Sequence, residues 1–247
     1  MIKNPDIRIY PDLPSLEHAV AQHFLLAVNQ AVQQRARALI ALSGGNTPLG
    51  LFRLLGSDTY RMTLPWTQIH FFWVDERSVP ESDPESNFGQ FKSKVLDPLK
   101  ISPSQVHLVN GNLPAEEAAQ AYRTVLADFA EQGKPWPRFD WVLLGMGRDG
   151  HTASLFPGSE LPTDGDAGVV AASAVYEDRP AERVTLTPTV LNAARQMVFM
   201  VSGQEKAAML RAVLRGEYDP LNIPAQRIQP EEGRLVWMLD EAAASQL

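Results

Sequence analysis

The chain has 247 residues, with 22 Lys+Arg against 29 Asp+Glu and a formal net charge of −7. That balance provides no basic face for nucleic acid, and the absence of cysteine excludes disulfides, thiolate metal ligands and a cysteine nucleophile. Apolar residues make up 45 % of the chain, enough for a sizeable core, and no apolar run approaches the roughly 18 residues that span a bilayer. Without an apolar signal core behind Lys3, the expected location is the cytoplasm.

In chain order, the spacing of Leu16, Val20, Phe24, Ala27, Val28 and Ala31 predicts a long amphipathic helix from Ser15 to Ala38. Ala38 to Leu42 follows as a short buried strand ending in Ser43-Gly44-Gly45-Asn46-Thr47-Pro48, with Pro48 suited to the first turn of a helix through about Leu55. A second strand, Ile69 to Val74, is broken by Asp75-Glu76-Arg77, and a helix is expected from Asn87 to Val95. Next come a helix over Ala115 to Gln132 and a third strand, Phe139 to Leu144. Further strands are expected at Gly168 to Ala172, Arg183 to Leu186, Arg195 to Val201 and Arg234 to Leu239, with a helix from Gln204 to Leu214. Strands separated by helices predict an α/β fold, a single domain with a mainly parallel, doubly covered sheet. Small strand-rich additions are expected around residues 160 to 190.

The most informative stretch runs from Leu143 to Gly158. An apolar strand enters a turn with three glycines, Gly145, Gly147 and Gly150, that also carries Asp149 and His151. A rigid turn with a carboxylate and an imidazole reads as an active-site loop, since histidine suits proton transfer near neutrality. The glycines match the spacing of a dinucleotide fingerprint, but an ionisable Asp149-Gly150-His151 would occupy the place where a pyrophosphate needs bare amides, and the turn is not the first of its domain.

In an open parallel sheet, ligands bind beyond the carboxyl ends of the strands. Four polar loops fall there: Ser43 to Thr47, Asp75 to Arg77, Asp149 to Ser154, and Ser202 to Lys206. The first offers successive amides and hydroxyls at a helix start, a phosphate-binding arrangement or an ordinary capped turn. Asp75-Glu76-Arg77 reads as the rim of a site or as a solvated turn. Arg183 and Lys206 are the late cations placed to join a site, and Lys206 near a helix start makes better sense beside an anion. Arg195 reads as a structural or solvated charge. His18, His23, His70 and His107 lack metal-ligand spacing and are expected to be structural, so no metal is expected. Ser154 is expected as a helix-start residue or polar contact, because no nucleophile elbow G-x-S-x-G exists to present a serine. The residues alone indicate a phosphosugar enzyme with a histidine base.

These motifs together resemble the 6-phosphogluconolactonase family: Leu42 to Pro48, Trp73 to Pro80 with Ser86-Asn87, Gly145 to Gly158, Arg183 to Thr187, and Ser202-Gly203 with Lys206. The resemblance covers nearly the whole chain. It departs at Asn46, where a serine is more usual, and is looser over Pro180-Ala181-Glu182. It implies the fold of glucosamine-6-phosphate isomerases and deaminases, and hydrolysis of 6-phospho-D-glucono-1,5-lactone in the pentose phosphate pathway without a cofactor. The site it implies has His151, Asp149 and Arg77 as catalytic residues. Ser43, Gly44, Gly45, Thr47, Asp75, Arg183 and Lys206 would hold the substrate. The implied partner is a small phosphosugar lactone, with no nucleic acid or membrane, bound by a monomer or weak homodimer. A sugar-phosphate isomerase or deaminase and a non-catalytic sugar-phosphate sensor stay open as alternatives.

Overall fold

The computed structural model describes residues 5–159, 168–174, 180–230 and 232–247. In chain order the strands are β1 (Asp6–Tyr10), β2 (Ala38–Leu42), β3 (Ile69–Trp73), β4 (Asp75–Arg77), β5 (Val106–His107), β6 (Trp141–Leu144), β7 (Val169–Ser173), β8 (Glu182–Leu186), β9 (Gln196–Val201) and β10 (Arg234–Asp240). Among the described residues, seven form one sheet in the order β1-β10-β9-β6-β2-β3-β5, with every pairing parallel. Every residue of β2 and β6 is buried, although neighbours along a strand face opposite ways, so both faces of the sheet centre are covered. The expected α/β fold is the one found.

The long helix Leu13–Arg35 starts where the Asp12 side chain accepts from Ser15 N at 2.8 Å. It ends at Ala36, whose φ of 59° turns the chain short of the expected Ala38. Its buried stripe, Leu16 to Ala31, packs on the sheet beside Phe24 and Trp141, whose rings meet edge to face at 5.1 Å. The expected helix after Asn87 runs as Asn87–Phe91, a π-helical stretch Lys92–Leu96, and Asp97–Leu99. The next helix stops at Ala127, short of the expected Gln132. Among the described residues, no helix is long and apolar enough to cross a membrane.

Two expected strands have a different home. β7 and β8 are antiparallel to each other and join β4 in a separate three-stranded sheet, β4-β8-β7. This is the strand-rich addition, and it recruits Asp75–Arg77 from far upstream. Residues 160–167 and 175–179 of the expected addition lie outside the described residues.

The strand order places the site. From β2 the chain moves to β3 and β5 on one side, then returns to β6 on the other side of β2. The switch point is therefore between β2 and β6, and a crevice opens beyond their carboxyl ends.

Candidate active site

Both loops at the switch point are folded tightly. Beyond β2, Ser43 N donates to Leu143 O at 3.1 Å, and Gly45 takes a φ of 93°. Gly44 cannot be replaced without movement, since a Cβ there would lie 2.0 Å from Asn87 Oδ1. Beyond β6, Gly147 N donates to His151 O at 2.8 Å and Thr152 Oγ1 donates to Gly145 O at 2.8 Å. Gly150, with a φ of 84°, offers its carbonyl to Ala225 N at 2.9 Å. A Cβ on Gly147 would fall 2.1 Å from His151 Nδ1. These glycines let the loop close on its own imidazole.

His151 Nδ1 lies 2.6 Å from Asp149 Oδ1, and the His151 amide donates to the same oxygen at 3.2 Å. Burial pushes the Asp149 carboxyl up, but the hydrogen bond and charge of the His151 ring outweigh it and hold the group at about 2. Asp149 is therefore ionised at neutral pH and can only accept, which places a ring proton on Nδ1 and makes Nε2 the nitrogen for any proton exchange with a substrate or water. The Phe156 ring sits 5.2 Å from the imidazole and 5.7 Å below the Arg183 guanidinium.

The charges after β3 are not a solvated turn. Asp75, Glu76 and Arg77 are only 6 %, 2 % and 8 % exposed, because β4 is covered by its own small sheet. Asp75 Oδ2 accepts from Ser154 Oγ at 2.6 Å. Ser154 is thus a polar contact in a turn between Thr152 and Leu155, not a helix start. Arg77 stands directly opposite Arg183 in the antiparallel register, so two buried guanidiniums share one face. Arg77 Nη1 reaches the Glu85 carboxylate at 3.1 Å. At the end of β9, Ser202 Oγ and Gly203 N both bond the Asp240 carboxylate, and Gly203 takes a φ of 100° before the short turn Gln204–Lys206.

All ten expected residues line one cavity of about 590 Å3: Ser43, Gly44, Gly45, Thr47, Asp75, Arg77, Asp149, His151, Arg183 and Lys206. Arg148, Glu205 and Asn87 line it as well. Asn87 is only 2 % exposed and its Nδ2 donates to Asp75 O at 2.9 Å. Ser86-Asn87 stands among the motifs of the resemblance, but without a role for Asn87; the helix cap beside it is Ser86, whose Oγ accepts from Gly89 N. Arg148 and Glu205 carried no signal beyond adjacency to Asp149 and Lys206.

Arg195 and the other four histidines do not line that cavity. Arg195 pairs with Glu131 at 2.7 Å and with Asp140 at 3.3 Å, a structural role. His23 Nδ1 accepts from Trp141 Nε1 at 3.0 Å, and His18 is exposed. His70 and His107 meet at 3.0 Å amid Phe72 and Phe129. Burial, then the neighbouring His70, pushes His107 down to about 4. Among the described residues, no three His, Asp or Glu side chains form a metal-binding group.

Residues 11–237 match the family model described as glucosamine-6-phosphate isomerases/6-phosphogluconolactonase. A 6-phosphogluconolactonase of Synechocystis is 39 % identical over 222 residues, covering 89 % of each chain. One from Mycobacterium tuberculosis is 38 % identical over 248 residues, covering 98 % of each. The solved 6-phosphogluconolactonase from Trypanosoma cruzi superposes with a TM-score of 0.88 at 27 % identity, over 100 % of this chain and 98 % of that one. Matched along nearly its full length by relatives of that name, the chain belongs to the family of glucosamine-6-phosphate isomerases and 6-phosphogluconolactonases, on its lactonase side.

Proposed function

We propose that this chain hydrolyses 6-phospho-D-glucono-1,5-lactone to 6-phosphogluconate, the second step of the oxidative pentose phosphate pathway, with His151 as general base. The observation that carries this reading is the meeting, at the switch point, of an Asp149-held imidazole and a cluster of anion-binding groups in one cavity. A lactone is an activated ester, so a positioned base and water suffice. His151 Nε2 takes a proton from water as its oxygen attacks C1. The carbonyl electrons move to the oxyanion, which faces amides of the glycine turn. Collapse expels the ring oxygen, and the imidazolium returns its proton to that oxygen. Asp149 orients the ring and stabilises the imidazolium without taking the proton itself.

Arg77 fits the phosphate end better than the oxyanion. Arg77 and Arg183 stand opposite each other in the register and both line the cavity, so one phosphate could accept from both. Lys206 and the amides of Ser43 to Thr47 complete that end, while Asp75, with one oxygen on Ser154, addresses sugar hydroxyls. The test is hydrolysis of lactone generated in situ, with EDTA present and the spontaneous rate subtracted. Acceleration that falls by at least about 10²-fold in kcat in His151→Ala supports the reading. No acceleration by the unaltered protein overturns it.

A further inference from the structure

Glu76 lies between two residues of the site and contributes no side chain to the cavity that holds them. It is 2 % exposed, and no cation lies in ion-pair range of it among the described residues. Its charge is held by four donors instead. Oε1 accepts from Arg77 N and Asn87 N, both at 2.8 Å. Oε2 accepts from Phe88 N at 2.7 Å and Ser86 Oγ at 3.3 Å. Burial pushes the carboxyl up to about 7, and the Phe88, Arg77 and Asn87 amides oppose that rise. A carboxylate kept from water without a counter-charge is costly, so its place in the fold calls for a reason beyond packing.

The partners supply that reason. Two of the four donors are the backbone amides of Arg77 and Asn87, both of which line the cavity. Asn87 in turn donates to Asp75 O and fills the space where a Cβ on Gly44 would sit. One carboxylate therefore fixes β4, the helix start and the floor of the Ser43–Thr47 loop together. The pair His151 and Asp149 hangs on a different loop, joined to β4 through Ser154 and Asp75.

We infer that Glu76 is a positioning residue for phosphosugar binding, its buried carboxylate holding the backbone of Arg77 and Asn87 so that the anion-binding end of the cavity is formed before substrate arrives. The inference rests on the lactonase reading above. Glu76→Gln keeps the size of the side chain but turns an NH2 toward N–H donors, so some of the four bonds are lost. The expected result is a KM for the lactone raised about tenfold with kcat within about threefold of the unaltered protein. A merely structural role would lower the amount of active enzyme, and with it the apparent kcat, leaving KM in place. KM within about twofold of the unaltered value overturns the inference.

Should Glu76→Gln fail to fold, Glu76→Asp retains the charge and falls one methylene short. The same split is required of it, and an unchanged KM overturns the inference equally. If the unaltered protein does not hydrolyse the lactone, the lactonase reading fails separately. Binding of inorganic phosphate by calorimetry then tests Glu76 alone. Weaker binding in Glu76→Gln sustains the positioning role, and equal binding ends it.

Discussion

Tyr122→Phe is the most direct probe of how the end of β3 is held. Val74 N donates to Leu42 O at 2.9 Å, so the backbone of Trp73 faces the other way, toward β5. β5 stops at His107, which pairs with Phe72, and leaves Trp73 without a strand. The Tyr122 hydroxyl takes the vacant place, accepting from Trp73 N at 2.9 Å and donating to Trp73 O at 3.0 Å. Burial raises its phenol above the usual range, as a wholly enclosed hydroxyl requires. Removing the oxygen leaves one N–H and one C=O buried and unpaired, each costing about 1–3 kcal/mol. A total of about 3 kcal/mol lowers the melting midpoint of a chain this size by about 6–12 °C. Urea denaturation of the variant, read by tryptophan fluorescence and by circular dichroism, gives the free energy directly. A loss under about 0.5 kcal/mol, within the range of unremarkable surface substitutions, would refute the argument.

Asp149→Asn keeps the shape of the loop but removes the charge that stabilises the imidazolium. Steady-state kinetics should show kcat reduced by about 10²-fold or more with KM within about threefold, and a loss carried by KM would remove Asp149 from its assigned role. His107 makes the fold sensitive to acid. Its folded value of about 4 lies below the ordinary 6.5, so the unfolded chain binds the proton first, and stability present above pH 6.5 is lost as pH falls toward 4. With the ring half-buried, solvent screening leaves about 1–2 kcal/mol at stake. Glu76, raised to about 7, acts in the opposite direction over much of the range, gaining stability as pH falls. The check is therefore the melting midpoint of His107→Gln minus that of the unaltered chain, from pH 7 to pH 4.5. A difference that stays flat counts against a buried neutral histidine.

The central strands are legible in the sequence because β2 and β6 are continuous apolar runs, and β3 is one but for His70, the pattern of strands buried on both faces. The loop carrying Asp149 and His151 was legible for a related reason, since glycines, an acid and a histidine rarely share a turn without a ligand to meet. β1 carries a weak signal: Ile7 and Ile9 alternate with polar residues as a strand should, but this edge strand is short and mostly exposed. β4 reads as a break in the sequence because three successive charges predict water. Their burial depends on β8, more than a hundred residues later, and on the Asn87 and Phe88 amides and the Ser86 hydroxyl around Glu76. Local pattern cannot report a covering that arrives from so far along the chain. The same limit hid the opposition of Arg77 and Arg183, whose meeting is a matter of register.

The outer position of β1 has a consequence for the nascent chain. β1 pairs with β10, joining residues 6–10 to 236–240. Those first residues therefore leave the ribosome more than two hundred residues before their partner does. Until β10 emerges, β9 presents an unpaired apolar edge, Met197 to Val201, on the side away from β6. A chain stopped before residue 234 would keep the whole His151 loop and still expose a sticky strand. Loss of the last strand should thus be felt as aggregation during synthesis, before any measurement of catalysis could be made.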